Sequence, residues 1–188
     1  MPVITVSGHS RKVGKTSITE ALIASLSECG WTALKISSHQ HTGDLSKGYS
    51  VIEESNRDGG NDTSRFLKAG AIRAFWIQAE RVEAAIPAAR AIIEGAKDAP
   101  YIVIEGNSVL DFITADFSIL VLNRRVAEFK ESARGILSRA DALVLTGESA
   151  APPNWEYLLE TVPKSTLRFE TDDLKIFPPA LTDLLRSL

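Results

Sequence analysis

Short apolar runs that stop abruptly at a glycine or a polar residue recur along the chain. Val3 to Val6 ends before Ser7-Gly8, Tyr101 to Ile104 before Glu105-Gly106, Ile119 to Leu122 before Asn123, and Leu143 to Leu145 before Thr146-Gly147. Runs this short and without an alternating polar face predict strands buried on both sides. Leu34-Lys35-Ile36 and Ile72 to Ile77 predict two more. Between the runs lie residues at helical spacing: Ile18, Leu22, Leu26 and Cys29; Phe129, Ala133, Ile136 and Leu137; Leu181, Leu184 and Leu188. Alternating strand and helix predicts an α/β three-layer sandwich, a mainly parallel sheet with flanking helices and ligand groups at the carboxyl ends of the strands.

Two stretches depart from this rhythm. Residues 37–62 are dense in Ser, Gly, Asn and charge, and are longer than the ~12–15 residues of an ordinary connection, which predicts a long flexible loop serving as a functional flap. Residues 81–96 have a helical pattern interrupted by Pro87, which predicts a short turn followed by a helix beginning near the proline.

The length of 188 residues fits one domain, 1–188, and a composition 44% hydrophobic and 24% charged is that of an ordinary globular chain. No apolar stretch approaches the ~20 residues needed to cross a bilayer, and the amino terminus lacks the basic and apolar regions of a secretion signal. A single cysteine, Cys29, excludes a disulfide or a cysteine-based zinc site within one chain, and points to a cytoplasmic protein. A net charge of −3 argues against general nucleic-acid binding.

The strongest chemical signal lies between the first strand and the first helix, in Gly8-His9-Ser10-Arg11-Lys12-Val13-Gly14-Lys15-Thr16-Ser17. A phosphate loop needs glycines that let backbone amides turn toward the ligand, a helix amino terminus, a lysine for the phosphates and a hydroxyl for Mg²⁺. Gly14, Lys15 and Thr16 supply the last elements in order, although the spacing is one residue longer than the commonest form and His9 stands where the first glycine would normally be. Arg11 and Lys12 either add charge to the loop or face solvent.

The longer loop resembles that of dethiobiotin synthetase and the cobyrinic acid amide synthases, in which Val-Gly-Lys-Thr also follows the first strand. Further motifs come in sequence after it: Lys35 ending the second strand, His39 and His41, then Gly60-Asn61-Asp62-Thr63-Ser64-Arg65, Lys68-Ala69-Gly70-Ala71, and Ile104-Glu105-Gly106. Together they resemble molybdopterin-guanine dinucleotide biosynthesis protein B, a P-loop NTPase, over about the first 110 residues. The resemblance implies Mg²⁺-dependent binding and slow hydrolysis of GTP or ATP in support of molybdenum cofactor biosynthesis, beside a molybdopterin nucleotidyltransferase. The phosphate loop's length leaves open an ATP-dependent ligase or kinase like dethiobiotin synthetase, or a nucleotide-regulated switch acting on a partner.

Candidate site residues follow. Lys15, Glu105 and Asp62 are the catalytic candidates, with Thr16 and Glu105 toward the metal. Glu105, at the end of a buried strand, either holds Mg²⁺ and an attacking water or makes a structural hydrogen bond. Asp62 either acts in the site or caps the helix through Phe66. Lys35 reaches a phosphate or an anionic substrate, or snorkels to the surface. The nucleotide contacts run from Gly8 to Ser17, with Lys35 and with Asn123 as a base or ribose contact. His9, His39 and His41 are loop histidines on the ligand side, with metal binding the alternative. Trp31, Trp76 and Trp155 are packing anchors. With no arginine finger placed by any motif, full activity calls for a partner or a homodimer bringing Arg65, Arg124 or Arg125 into position.

Overall fold

The computed structural model describes residues 1–38, 48–96, 99–149 and 151–188. The chain runs through β1 (Val3–Gly8), α1 (Lys15–Ser25), β2 (Trp31–Ser38), β3 (Tyr49–Glu53), α2 (Asp62–Ala69), β4 (Arg73–Ala79), α3 (Val82–Gly95) and β5 (Tyr101–Glu105). It continues through β6 (Phe117–Asn123), α4 (Glu131–Leu137), β7 (Ala142–Thr146), β8 (Leu167–Glu170) and α5 (Pro179–Arg186). Among the described residues eight strands form one sheet in the order β3-β4-β2-β5-β1-β6-β7-β8. Every neighbouring pair is parallel except β3 with β4.

Successive residues of a strand point to opposite faces, and both faces are covered, which is why the strands read as continuous apolar runs. On one face Ile4, Val6, Val103, Ile119 and Val121 pack with Ile18 and Leu22 of α1, Phe66 of α2, and Leu181 and Leu185 of α5. On the other, Leu34, Ile36, Ile102 and Ile104 meet Ala85, Ile86 and Ala89 of α3. Farther along that face Leu120, Leu122, Leu143 and Leu145 meet Ile136 and Leu137 of α4 with Trp155 and Leu158. The result is the expected three-layer α/β sandwich. Each fully buried Leu, Ile or Val contributes about 1.5–3 kcal/mol relative to an exposed one, so both layers of helices are held by burial.

Several local expectations change. Part of 37–62 is regular: β2 extends to Ser38, and Tyr49–Glu53 form an antiparallel edge strand, because Tyr49 and Val51 can pair with Ala79 and Ile77 of a partner already anchored in the sheet. Residues 39–47, and with them His39 and His41, lie outside the described residues. Helix α3 runs through Pro87 rather than starting at it. Both Pro87 and Glu83 are exposed, so the carbonyl that the proline cannot serve faces water, and the buried stripe of Ala85, Ile86, Ala88 and Ala89 holds the helix together. In α5 the buried face is Leu181 and Leu185, while Leu184 and Leu188 are exposed. Two of the three tryptophans, Trp31 and Trp155, anchor packing. Trp31 and Trp155 are buried and donate through Nε1 to the carbonyls of Leu26 and Val126, each at 2.8 Å. Trp76 is half-buried and donates to Ser37 Oγ at 2.9 Å. Cys29 is buried as a free thiol. Among the described residues no helix is long and apolar enough to cross a membrane.

Candidate functional site

Strand β1 lies between β5 and β6 at the middle of the sheet, and the loop from Gly8 to Gly14 leaves its carboxyl end. A β-carbon at Gly8 would stand 2.6 Å from Val13 Cγ2 and 2.9 Å from Lys15 Cγ, so only glycine lets the loop fold back on its own strand. Val13 is fully buried and pins the loop to the core. Gly14 turns with φ 101° into α1, and Leu174, from the segment after β8, packs over it. No side chain caps the start of α1, so its first amides and the positive end of its dipole are left for an anion. Lys12 holds φ 59°, a left-handed conformation that costs a side-chain-bearing residue about 1–2 kcal/mol.

A cavity of about 570 Å³ opens over this turn, lined among others by Lys12, Lys15, Thr16, Lys35, Asp62 and Glu105. Strand register brings Lys35 of β2 beside Glu105 of β5, and Glu105 beside Val6 of β1. The Thr16 hydroxyl donates to Glu105 Oε2 at 2.9 Å, and the Lys35 ammonium donates to Glu105 Oε1. Lys35 also pairs with Asp62 Oδ2 at 2.9 Å. The Glu105 side chain is only 1% exposed, and these partners are what make a carboxylate tolerable there. Burial opposes the charge on Lys35, but Glu105 and Asp62 more than offset it and hold its pKa above the ordinary value. Burial pushes Lys15 down, against the pull of Glu105, and its ammonium folds back to the Ser10 carbonyl at 3.1 Å.

Asp62 is not the helix cap. Asn61 takes that role, its Oδ1 accepting from the Ser64 amide at 2.8 Å, which leaves Asp62 in the first turn free to face Lys35. Lys68-Ala69-Gly70-Ala71 is a helix stop: Gly70 has φ 119°, its amide bonds back to α2, and Ala71 is buried. Arg65 pairs with Glu20 at 2.6 Å, reaches Asp62 at 3.9 Å and donates to Ser17 Oγ at 3.2 Å.

Part of the expected contact set lies elsewhere. Among the residues lining the cavity are Arg11 to Ser17, whereas Gly8, His9, Ser10 and Asn123 do not line it. His9 is fully buried, with its ring 5.1 Å from that of Phe129 and 4.8 Å from that of Trp155, and its Nε2 accepts from the Asn123 amide at 3.1 Å. Burial lowers its pKa to about 4, so it is neutral. Ser10 is buried and donates to Glu128. Asn123 Oδ1 accepts from the Arg125 amide at 2.9 Å. Arg124 is held by Glu156 at 3.3 Å and Glu170 at 2.9 Å, and Arg125 by the Glu148 carbonyl at 3.1 Å.

Sequence reasoning missed Asn107, Lys130 and Leu174. Asn107 Oδ1 accepts from the Gly8 amide at 3.2 Å, and the Lys130 amide donates to the His9 carbonyl at 3.0 Å, so both tie distant segments to the loop. The position of Asn107 straight after Glu105-Gly106 at a strand end was a usable signal; Lys130 and Leu174 carried none.

The Thr16 hydroxyl and the carboxylates of Glu105 and Asp62 form an all-oxygen set, the donor chemistry that suits Mg²⁺. Among the described residues no group of three His, Cys, Asp or Glu side chains is placed to hold a metal. The mainly parallel sheet, its flanking helices and the loop after β1 together make the fold of a P-loop NTPase. LpxK from Aquifex aeolicus, solved in complex with ATP, superimposes with a TM-score of 0.53 at 18% sequence identity, over 90% of this chain and 53% of that one. This chain therefore spans about half the length of that protein, and the likeness is one of fold. No protein-family profile and no curated protein sequence matches the chain.

Proposed function

We propose that the chain binds a purine nucleoside triphosphate, ATP or GTP, with Mg²⁺ at the loop between β1 and α1 and turns it over slowly. The observation that carries this reading is the continuous contact from Thr16 through Glu105 to Lys35 and Asp62, directly beside the uncapped start of α1 and Lys15. The α1 amides and Lys15 take the phosphate charge. Thr16, Glu105 and Asp62 would hold Mg²⁺, which when bound neutralises phosphate charge and aligns the terminal group for in-line attack. Glu105 orients what lies next to it, because Lys35 and Thr16 hold both of its oxygens in place.

The molybdenum cofactor setting, with a nucleotidyltransferase as partner, is supported by the convergence of Lys35, Asp62 and Glu105, drawn from three of the separate motifs behind the resemblance, into one cluster. A ligase or kinase acting on a small carboxylate or hydroxyl substrate is favoured by a different feature: the same cavity is also lined by Ile36, Ser37, Ser38 and Asn107, outside the set of phosphate and metal donors. A thermal-shift panel of ATP, GTP, their diphosphates and molybdopterin, with and without Mg²⁺, separates these readings. A triphosphate raises Tm in the wild-type protein and Lys15→Ala abolishes the rise; an unchanged rise in the folded variant would falsify the phosphate-loop site.

A further inference from the structure

The Lys35 ammonium sits on both acids of the oxygen set. It bonds Asp62 Oδ2 at 2.9 Å and Glu105 Oε1, while the second oxygen of Glu105 accepts from Thr16 at 2.9 Å. A nitrogen of the chain thus holds the place between the carboxylates where a divalent ion would bind. Of the other lysines lining the cavity, Lys15 is engaged with the Ser10 carbonyl instead.

A carboxylate with 1% of its side chain exposed needs a permanent counter-ion, and Lys35 provides one on a flexible stem. Among the described residues its partner acids are two, so a divalent ion arriving alone finds few free oxygens and meets a positive charge at contact distance. Phosphate changes both conditions. It supplies the oxygens that Mg²⁺ prefers to share with one or two carboxylates, and it offers an anionic site to which Lys35, 17% exposed on the cavity wall, can transfer. We propose that Lys35 is the resident counter-ion of this site and bars divalent cations from the nucleotide-free protein, so that metal enters only together with phosphate.

This rests on the reading of the site as nucleotide-binding, and the test keeps the two apart. Mn²⁺ is titrated into the nucleotide-free chain and the free ion is followed by electron paramagnetic resonance. Wild type takes up no Mn²⁺ below ~1 mM, whereas Lys35→Met gains one site at least ~10-fold tighter. Lys35→Arg behaves as wild type, and adding Glu105→Gln to Lys35→Met removes the gain. Equal binding by wild type and Lys35→Met, or a gain that survives Glu105→Gln, overturns the proposal. Should Lys35→Met fail to fold, the ¹⁵N resonance of the wild-type Lys35 side chain decides. It stays in place with Mg²⁺ alone up to ~10 mM and moves when a non-hydrolysable triphosphate is added with the metal; movement with Mg²⁺ alone overturns the proposal. A nucleotide thermal shift on the same wild-type sample distinguishes the failures: no shift removes the nucleotide site, while a normal shift with Mn²⁺ bound to the free protein removes only the role of Lys35.

Discussion

Of the two acids that line the cavity among the described residues, Asp62 is half-buried and Glu105 is the more deeply buried. Its two oxygens accept one hydrogen bond each, from Lys35 and Thr16, and its side chain has almost no contact with solvent. Glu105→Gln keeps the size and removes the charge. On the proposed function, in which Lys15 and the α1 amides take the phosphate charge, turnover should fall by ~10² or more while nucleotide affinity changes little. Single-turnover kinetics set beside equilibrium binding check this; an equal loss in both would make Glu105 a binding residue. His9 gives a second expectation, in stability. Its folded pKa of about 4 lies below the ordinary 6.5, so above pH 6.5 neither state takes a proton, and below it the unfolded chain is protonated first. The stabilisation is therefore whole above 6.5 and is lost as pH falls toward about 4. Denaturation midpoints of wild type and His9→Gln across that range should show a steeper decline for wild type; parallel curves would mean that His9 titrates alike in both states.

At the scale of elements, the start of α2 divides two tasks between neighbouring residues. Asn61 caps the helix through its bond to the Ser64 amide, and Asp62 faces Lys35. Asn61→Ala should cost about 1 kcal/mol of stability, the usual value of a lost cap. Asp62→Asn should leave the helix cap intact and act on metal-dependent nucleotide binding instead. Chemical denaturation and isothermal titration of both variants check the division, and a larger stability loss in Asp62→Asn than in Asn61→Ala would reverse it. Helix α3 shows the same logic from the opposite side: a proline inside a helix is tolerated because its unserved carbonyl faces water and the apolar stripe faces the sheet.

At the scale of the molecule, β1 is flanked by β5 and β6, and the site is built where their carboxyl ends meet the start of α1. These central strands are buried on both faces, while β3 at one edge and β8 at the other have mostly exposed residues. Hydrogen exchange should be slowest in β1, β5 and β6 and fastest in β3 and β8, since central strands open only with the whole sheet. Comparable protection at the edges and centre would indicate that another surface covers them.

The chain alone determined the alternation of buried strands and amphipathic helices and the loop at Gly8 to Thr16, and it singled out Lys35, Asp62 and Glu105, because each rests on local spacing or on a charged residue at a strand end or helix start. Edge strand β3 was invisible because its residues are ordinary until a neighbouring strand offers them hydrogen bonds. The cap at Asn61 was missed because Asn and Asp compete for that position and only the pairing of Asp62 with Lys35 decides between them. His9 looked like a ligand contact by its place in the loop, yet Phe129 and Trp155, more than a hundred residues away in sequence, draw its ring into the core. Strand order did the rest: β5 inserted between β1 and β2 sets Glu105 against both Thr16 and Lys35, a contact that no periodicity along the chain encodes.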